Sequence, residues 1–449
     1  MKSVPFLIIF ISTTFFYNST SKSFSEITLE SKSWVKDVAQ YRISLKRGQQ
    51  KALKVWCDQA KKTSARMKQY GNHIDVGLGI DVKSNKTYRK THFSDNPMWN
   101  SIIAEEYLKC FETSHACTGV KHFPGIGQLS ADPHSKSAVE VQDTKSLKDA
   151  DLKPFYSSIN AGACTVMVSH SKVKLSENRI EICSFNPDCI ALIRKGLNYD
   201  GLIVTDELMY MAAAHEPLLD QQFDRFRMLE PKLAATCSTL SASNKISELS
   251  KLLIAERCPK DKTCPKEIMT EINDLITDEA GYYRNLAALK AGNDILLQFR
   301  FPEKTKSLVP GMTELIKRLL LTAQNDSTLT ANINASSLRI LKRKELIFKK
   351  KLFKKFPQFK NIEDLHNSLS LEQKIKQMIF IWGWNNYPHT ADELELGGFY
   401  TLSLNVLYKE KKTTIPLLRI VDHYFKGGYR KWGQSIIKGK PLTTRDLSK

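Results

Sequence analysis

The sequence predicts an α/β fold of the (β/α)8 barrel type, and three observations carry that prediction. Short apolar runs recur near positions 75, 117, 166, 203, 296, 380, 401 and 418. Helix-prone segments separate them. Several runs end in a chemically active residue: Asp81, His170, Asp206 with Glu207, and Asp422. Parallel strands covered on both faces read as unbroken apolar runs, and closing eight of them into a barrel gathers their C-terminal tips around one pocket.

The 449 residues are 42% hydrophobic, enough to bury a full core. Lys2 precedes an apolar run followed by small polar residues, so 1–24 reads as a secretory signal peptide and the protein as exported. An uncleaved anchor is the alternative. A formal charge of +20 attracts polyanions, and export favours an anionic cell-wall surface over nucleic acid. A solvated basic surface explains the same charge without a partner. Nine cysteines permit bridges, with Cys183 and Cys189, and the trio Cys237, Cys258 and Cys264, as candidates. No CxxC pair is present, so no metal is expected.

Taken in order, residues 33–70 form one or two helices, and HIDVGLGIDV (73–82) is a buried strand ending in Asp81. A helix over 99–111 leads to a strand at 116–120. That strand runs into KHFPGIGQLSADPH, residues 121–134, a glycine-rich turn that places Asp132 two residues before His134. A carboxylate so placed can fix an imidazole's tautomer and raise its proton affinity. A helix over 147–161 precedes the strand ACTVMVSH (163–170). After a turn, 185–198 is helical, and GLIVTDEL (201–208) is the next strand.

No strand signal appears over 213–283, a helical insertion. LAALKAGNDILLQF (286–299) gives a helix end, a glycine turn and a strand. Residues 312–355 are helical and finish in a basic run from Arg339 to Lys355 around Ile340, Ile347 and Phe348, read as an exposed cationic helix. A linker over 356–369 precedes capping-box spacing from Ser370 to Gln373. Strands follow at 377–382, 397–405 and 415–422, and then Gly427, Gly428 and Arg430.

KHFPGIGQLSADPH resembles the K-H-F-P-G-H-G-D-T-x-x-D-S-H signature of glycoside hydrolase family 3 β-N-acetylglucosaminidases of the bacterial cell-wall recycling type. GLNYDGLIVTDEL (196–208) is similar to their G-F-D-G-V-I-x-S-D-D-L, THFSDNP to R-S-F-x-D-D-P, and AGNDILL to A-G-x-D-x-L-L. SLSLEQKIKQM, LGGFYTLSLN and IPLLRIVDHYFKGGYRKWG resemble the family's opening segments, yet here they stand at the back. The resemblance therefore implies a circularly permuted barrel. Residues 25–355 would hold family strands four to eight, 370–449 strands one to three, and 356–369 would join the old ends. Such a rearrangement requires 377–382 to lie beside 293–298, and 415–421 beside 74–80.

The resemblance also implies roles. Asp206 is the nucleophile, His134 the acid/base and Asp132 its orienting partner. Lys121 and His122 hold sugar hydroxyls, Asp422 grips the far hydroxyls of the same ring, and Arg430 is a further contact. His170 either lines the pocket or is a satisfied core histidine. The implied activity is a retaining exo-β-N-acetylglucosaminidase acting through a covalent glycosyl-enzyme on GlcNAc-containing peptidoglycan fragments, with no cofactor; phosphate in place of water as acceptor stays open. Three departures stand out. Ile126 and Gln128 replace a family histidine and acid, Thr91 replaces an arginine, and two residues are inserted between Asp422 and the glycine pair. They favour a rival, a catalytically weak barrel that binds cell-wall glycan.

Overall fold

The computed structural model describes residues 9–82, 93–111, 113–129, 141–176, 179–208, 281–298, 305–382, 391–401, 415–422 and 438. Eleven strands occur among them: β1 Ile74–Gly79, β2 Cys117–Phe123, β3 Gln142–Asp143, β4 Thr165–Val168, β5 Lys172–Ser176, β6 Arg179–Ile182, β7 Leu202–Thr205, β8 Leu296–Gln298, β9 Ile379–Trp382, β10 Gly398–Thr401 and β11 Leu418–Val421. Eight of these form one sheet in the order β7-β4-β2-β1-β11-β10-β9-β8, and every pair in it is parallel. A parallel bridge between Val204 and Ile295 joins the two outer strands, and the Leu208 amide donates to the Leu297 carbonyl at 3.1 Å. The sheet thereby closes into the expected (β/α)8 barrel.

Both adjacencies named from the sequence are present. Ile379 pairs with Leu296, and Ile74 with Ile420, so strands from the back of the chain fill the gap between β8 and β1. Hydrogen bonds extend the second seam at its N-terminal end. The His73 amide donates to the Arg419 carbonyl at 2.9 Å, and the Arg419 amide donates to His73 Nδ1 at 3.1 Å.

Strand β1 turns over partway along. Its register against β2 shifts between Asp75 and Leu78, and the Gly77 amide donates to Asp75 Oδ1 at 2.9 Å. Ile74 and Val76 consequently pack in one apolar cluster, and Leu78 and Ile80 in the other. Because side chains alternate along a strand, Asp81 projects from the face opposite Ile80.

Trp56 and Tyr107 from the helical layer, and Phe93 from the bend before helix Pro97–Cys110, join the core, with the Trp56 and Phe93 rings edge to face at 4.8 Å. The first helical region is two helices, Ile9–Ile43 and Arg47–Tyr70. The first runs without interruption across residue 24. The second ends at Gly71, whose φ of 69° is a left-handed cap that returns the chain towards β1. No helix among the described residues is long and apolar enough to cross a membrane.

Three details differ from the sequence reading. The basic run does not form one exposed cationic helix: it breaks at Lys349 between helices Ser327–Phe348 and Lys350–Lys355. Several of its cations are absorbed by the fold, since Lys344 is fully buried on Gln377 Oε1 at 2.6 Å and Arg339 meets the buried Asp294 at 2.9 Å. Residues 356–369 are more than a linker, because helix Ile362–Ser368 buries Ile362 and Leu365 with Leu341, Leu352 and Ile415. A small second sheet, β3-β5-β6, stands where a turn was expected.

Among the described residues, three disulfides join Cys57 to Cys110, Cys117 to Cys164, and Cys183 to Cys189. The last was expected. The first two require helices and strands to meet in space, which sequence spacing does not reveal. Cys237, Cys258 and Cys264 lie outside the described residues, as does 213–280 of the insertion.

Candidate active site

Five barrel strands carry side chains of interest at or just past their C-terminal ends: Asp81 after β1, Lys121 and His122 in β2, His170 after β4, Asp206 and Glu207 after β7, and Asp422 after β11. In the closed eight-strand order β7 and β11 are four steps apart in either direction. Asp206 and Asp422 therefore belong to opposite sides of the barrel, with β2 between them on one side.

Asp81 holds the turn that begins KHFPG. It is buried and accepts three hydrogen bonds, from the His122 amide at 3.2 Å, His122 Nδ1 at 3.0 Å and the Ile126 amide at 3.1 Å. A carboxylate accepts only, so it fixes the proton on Nδ1 and leaves Nε2 as the ring atom for a ligand. Sequence reasoning saw Asp81 as a strand end and gave it no role in the site. Its spacing from His122 carries no signal that the two meet.

Lys121 and Asp422 are both buried and form an ion pair through Nζ and Oδ2. The Tyr400 hydroxyl donates to the same oxygen at 2.8 Å. Asp422 Oδ1 is buried and has no hydrogen-bond partner among the described residues. Tyr400 was read only as part of an apolar strand, yet it reaches into the site.

Asp206 is half-buried, and its Oδ1 accepts from the Glu207 amide at 2.8 Å, while its own amide donates to the Val168 carbonyl at 2.9 Å. The backbone just beyond it is braced by His170. That imidazole is fully buried, with Nε2 at 2.7 Å from the Glu207 carbonyl and Nδ1 at 2.6 Å from Ser184 Oγ. A carbonyl only accepts, so Nε2 carries the proton. Two readings were left open for His170; with both ring nitrogens engaged by protein and the ring stacked on Phe185, its contacts are those of the core-histidine reading.

Beneath the loop lies Asp151, buried against Gly125. Burial, reinforced by the Asp81 charge and opposed by a hydrogen bond from Gln128, pushes its carboxyl up to about 8. The Gln128 amide nitrogen donates to Asp151 Oδ2, and Ser146 Oγ donates to Gln128 Oε1 at 3.0 Å. An acid at position 128 would face Asp151 as a second carboxylate. The neutral amide avoids that repulsion. Asp132, His134, Arg430 and Thr91 lie outside the described residues.

A parallel barrel with carboxylates and cationic partners at its strand tips gathers polar groups at one end of the ring, where such barrels place their sites. Residues 43–225 match the family model for the glycosyl hydrolase family 3 N terminal domain. It is 30% identical over 136 residues to a beta-hexosaminidase of Xylella fastidiosa strain M12, an alignment covering 30% of this chain and 38% of that protein. A Stenotrophomonas maltophilia beta-hexosaminidase is 29% identical over 143 residues, or 32% of this chain and 40% of that one. The chain thus spans about two fifths of these relatives in sequence. A family 3 glycosyl hydrolase structure from Mycobacterium smegmatis has a TM-score of 0.41 at 19% identity, covering 64% of this chain and 69% of that one.

Proposed function

We propose that the protein is an exported, retaining exo-β-N-acetylglucosaminidase that removes β-linked GlcNAc from peptidoglycan-derived fragments. The observation that carries this reading is the grouping of Lys121 with Asp422 and of His122 with Asp81 at the tips of neighbouring barrel strands, in a ring whose strand β7 ends at Asp206. Buried charge-assisted donors and acceptors of this kind suit vicinal hydroxyls. In the first step an Asp206 carboxylate oxygen bonds to the anomeric carbon, while His134, held by Asp132, gives its proton to the departing glycosidic oxygen. In the second, His134 takes a proton from water, whose oxygen displaces Asp206. Phosphate as acceptor would instead yield a glycosyl phosphate.

The strand pairs β8 with β9 and β1 with β11 support a chain order rotated relative to the family, with 370–449 completing the barrel begun by 25–355. A signal peptide over 1–24 and an oxidising destination agree with three disulfides, and the +20 charge suits an anionic wall. The test is nitrophenol release from 4-nitrophenyl N-acetyl-β-glucosaminide by the wild type and by Asp206→Ala. Wild-type turnover with at least a thousand-fold loss in the variant is expected, roughly the effect of deleting a covalent nucleophile. Equal inertness on this glycoside and on wall fragments would support the rival reading of a glycan-binding barrel, which Ile126 favours by burying an alkyl group where the family has an imidazole.

A further inference from the structure

Helix Arg47–Tyr70 has two unlike sides. Leu53, Trp56, Ala60 and Met67 are buried, and at about 3.6 residues per turn they fall on one side of it. Arg47, Lys51, Lys54, Lys61, Lys62 and Lys68 fall within an arc of about 120° on the other, and each is exposed. From Arg47 to Lys68 this stripe rises roughly 30 Å. None of these cationic side chains has an ion-pair or hydrogen-bond partner among the described residues. Asp58 is the one acid of the helix. The acids of the adjacent helix Pro97–Cys110 are engaged elsewhere, Glu105 with Lys109 at 2.7 Å and Glu106 with Arg42. Like charges lined up on one face repel each other, so the stripe costs the folded chain stability that a bound polyanion would restore.

The stripe also selects among polyanions. Single-stranded nucleic acid is held by aromatic platforms as well as by charge, and the arc carries no aromatic residue. A helix that lies on a membrane inserts its apolar face, whereas this one spends that face on the protein core. Lysine ammoniums bind phosphate as point charges, without the fork that arginine brings to a carboxylate, and so suit a flexible chain of phosphodiesters. The position of the helix fits such a partner. Its Tyr70 carbonyl accepts from Arg419 near the start of β11 at 3.3 Å, and Trp56 packs on Phe93, beyond the end of β1. The stripe therefore runs beside the ring, with Arg47 towards the end where the strand tips gather. We infer that this face docks the protein on a linear polyol-phosphate polymer of the cell wall, holding the barrel mouth beside the glycan. The choice of partner rests on the exported, wall-acting reading.

The experiment measures binding of the full chain to fluorescent poly(glycerol phosphate) by anisotropy over a salt series, with thermal melts to establish that each variant is folded. One variant carries Lys51→Gln, Lys54→Gln, Lys61→Gln and Lys62→Gln. A control loses the same charge at exposed positions on other elements, through Lys195→Gln, Lys317→Gln, Lys354→Gln and Lys360→Gln. In the stripe variant the slope of log Kd against log salt should fall by about three, near 0.7 for each cation removed, and in the control it should stay close to wild type. Asp58→Lys fills the gap between Lys54 and Lys61, so it should tighten binding and raise the slope by about 0.7. Equal losses in the stripe variant and the control reduce the binding to net charge and overturn the inference. So do an absence of binding, an Asp58→Lys affinity no better than wild type, and tighter binding to a single-stranded oligonucleotide or to phosphatidylglycerol vesicles. Nitrophenol release is scored separately: its absence in the wild type overturns the hexosaminidase reading and leaves the docking result standing.

Discussion

At the residue scale, Asp151 shows how the loop tolerates a change that the sequence flags as a departure. Its carboxyl is raised to about 8 by burial and the nearby Asp81. The folded state therefore holds a proton that the unfolded chain releases near the ordinary carboxylate value. The native state is favoured most below that value and loses stability as pH rises towards 8. Asp151→Asn should flatten this dependence, so that urea midpoints at pH 6 and pH 9 differ less in the variant than in the wild type. Gln128→Glu should do the reverse, costing about 1–3 kcal/mol at pH 8 by placing a second carboxylate on Asp151. A midpoint insensitive to that substitution would rule out the contact as a source of stability.

The same residues mark what was legible in the sequence. Lys121, His122, Asp206 and Asp422 could be read because each sits in a motif whose neighbours are distinctive. Tyr400 could not, since a tyrosine in an apolar run reads as core, and its hydroxyl meets Asp422 only because β10 and β11 pair in one particular register. His170 ended a strand like the acids did, yet Ser184 and the Glu207 carbonyl, both remote in sequence, decide that it is a brace.

At the scale of elements, the apolar runs announced the strands, but the ties among neighbouring elements were hidden. Asp294, fully buried, binds Arg194 and Arg339 through its two oxygens and accepts from the Ile203 amide at 2.7 Å. One carboxylate thus fastens helix Ser327–Phe348 and the residues before β7 to the N-terminal side of β8. Asp294→Ala leaves two guanidinium groups without their partner and should cost about 3–5 kcal/mol, seen as a lowered melting temperature. Basic residues that looked like a solvated face were partly committed to such ties, because a charge pattern does not disclose a partner brought near by folding. The Cys117–Cys164 bridge acts in the same region by joining β2 to the residue before β4. With its cysteines 47 positions apart in sequence, its removal should lower stability by about 2–4 kcal/mol, checked by the melting temperature of a Cys117→Ala, Cys164→Ala double variant.

At the scale of the whole molecule, barrel closure depends on both ends of the described chain. Strands β9, β10 and β11 stand between β8 and β1, so residues 1–369 alone leave two strand edges unpaired. Expressed alone, that fragment should aggregate, and co-expression with 370–449 should return soluble barrel, read by size-exclusion chromatography. A well-behaved 1–369 monomer with native secondary structure would contradict this. The barrel class was legible because eight apolar runs suffice to suggest it. Which run neighbours which depended on the family resemblance, since periodicity fixes what a segment is and leaves its place in the ring open.

The seam between β1 and β11 has a consequence in time. A ribosome delivers Asp206 long before Asp422, and the carboxylate that pairs with Lys121 arrives only after strands β8, β9, β10 and β11 have been made. Under the proposed function, a nascent chain carries its nucleophile while the far wall of the sugar pocket does not yet exist. Glycan cleavage is thus withheld until synthesis has passed residue 422 and the ring has shut, a delay built into the order of the chain.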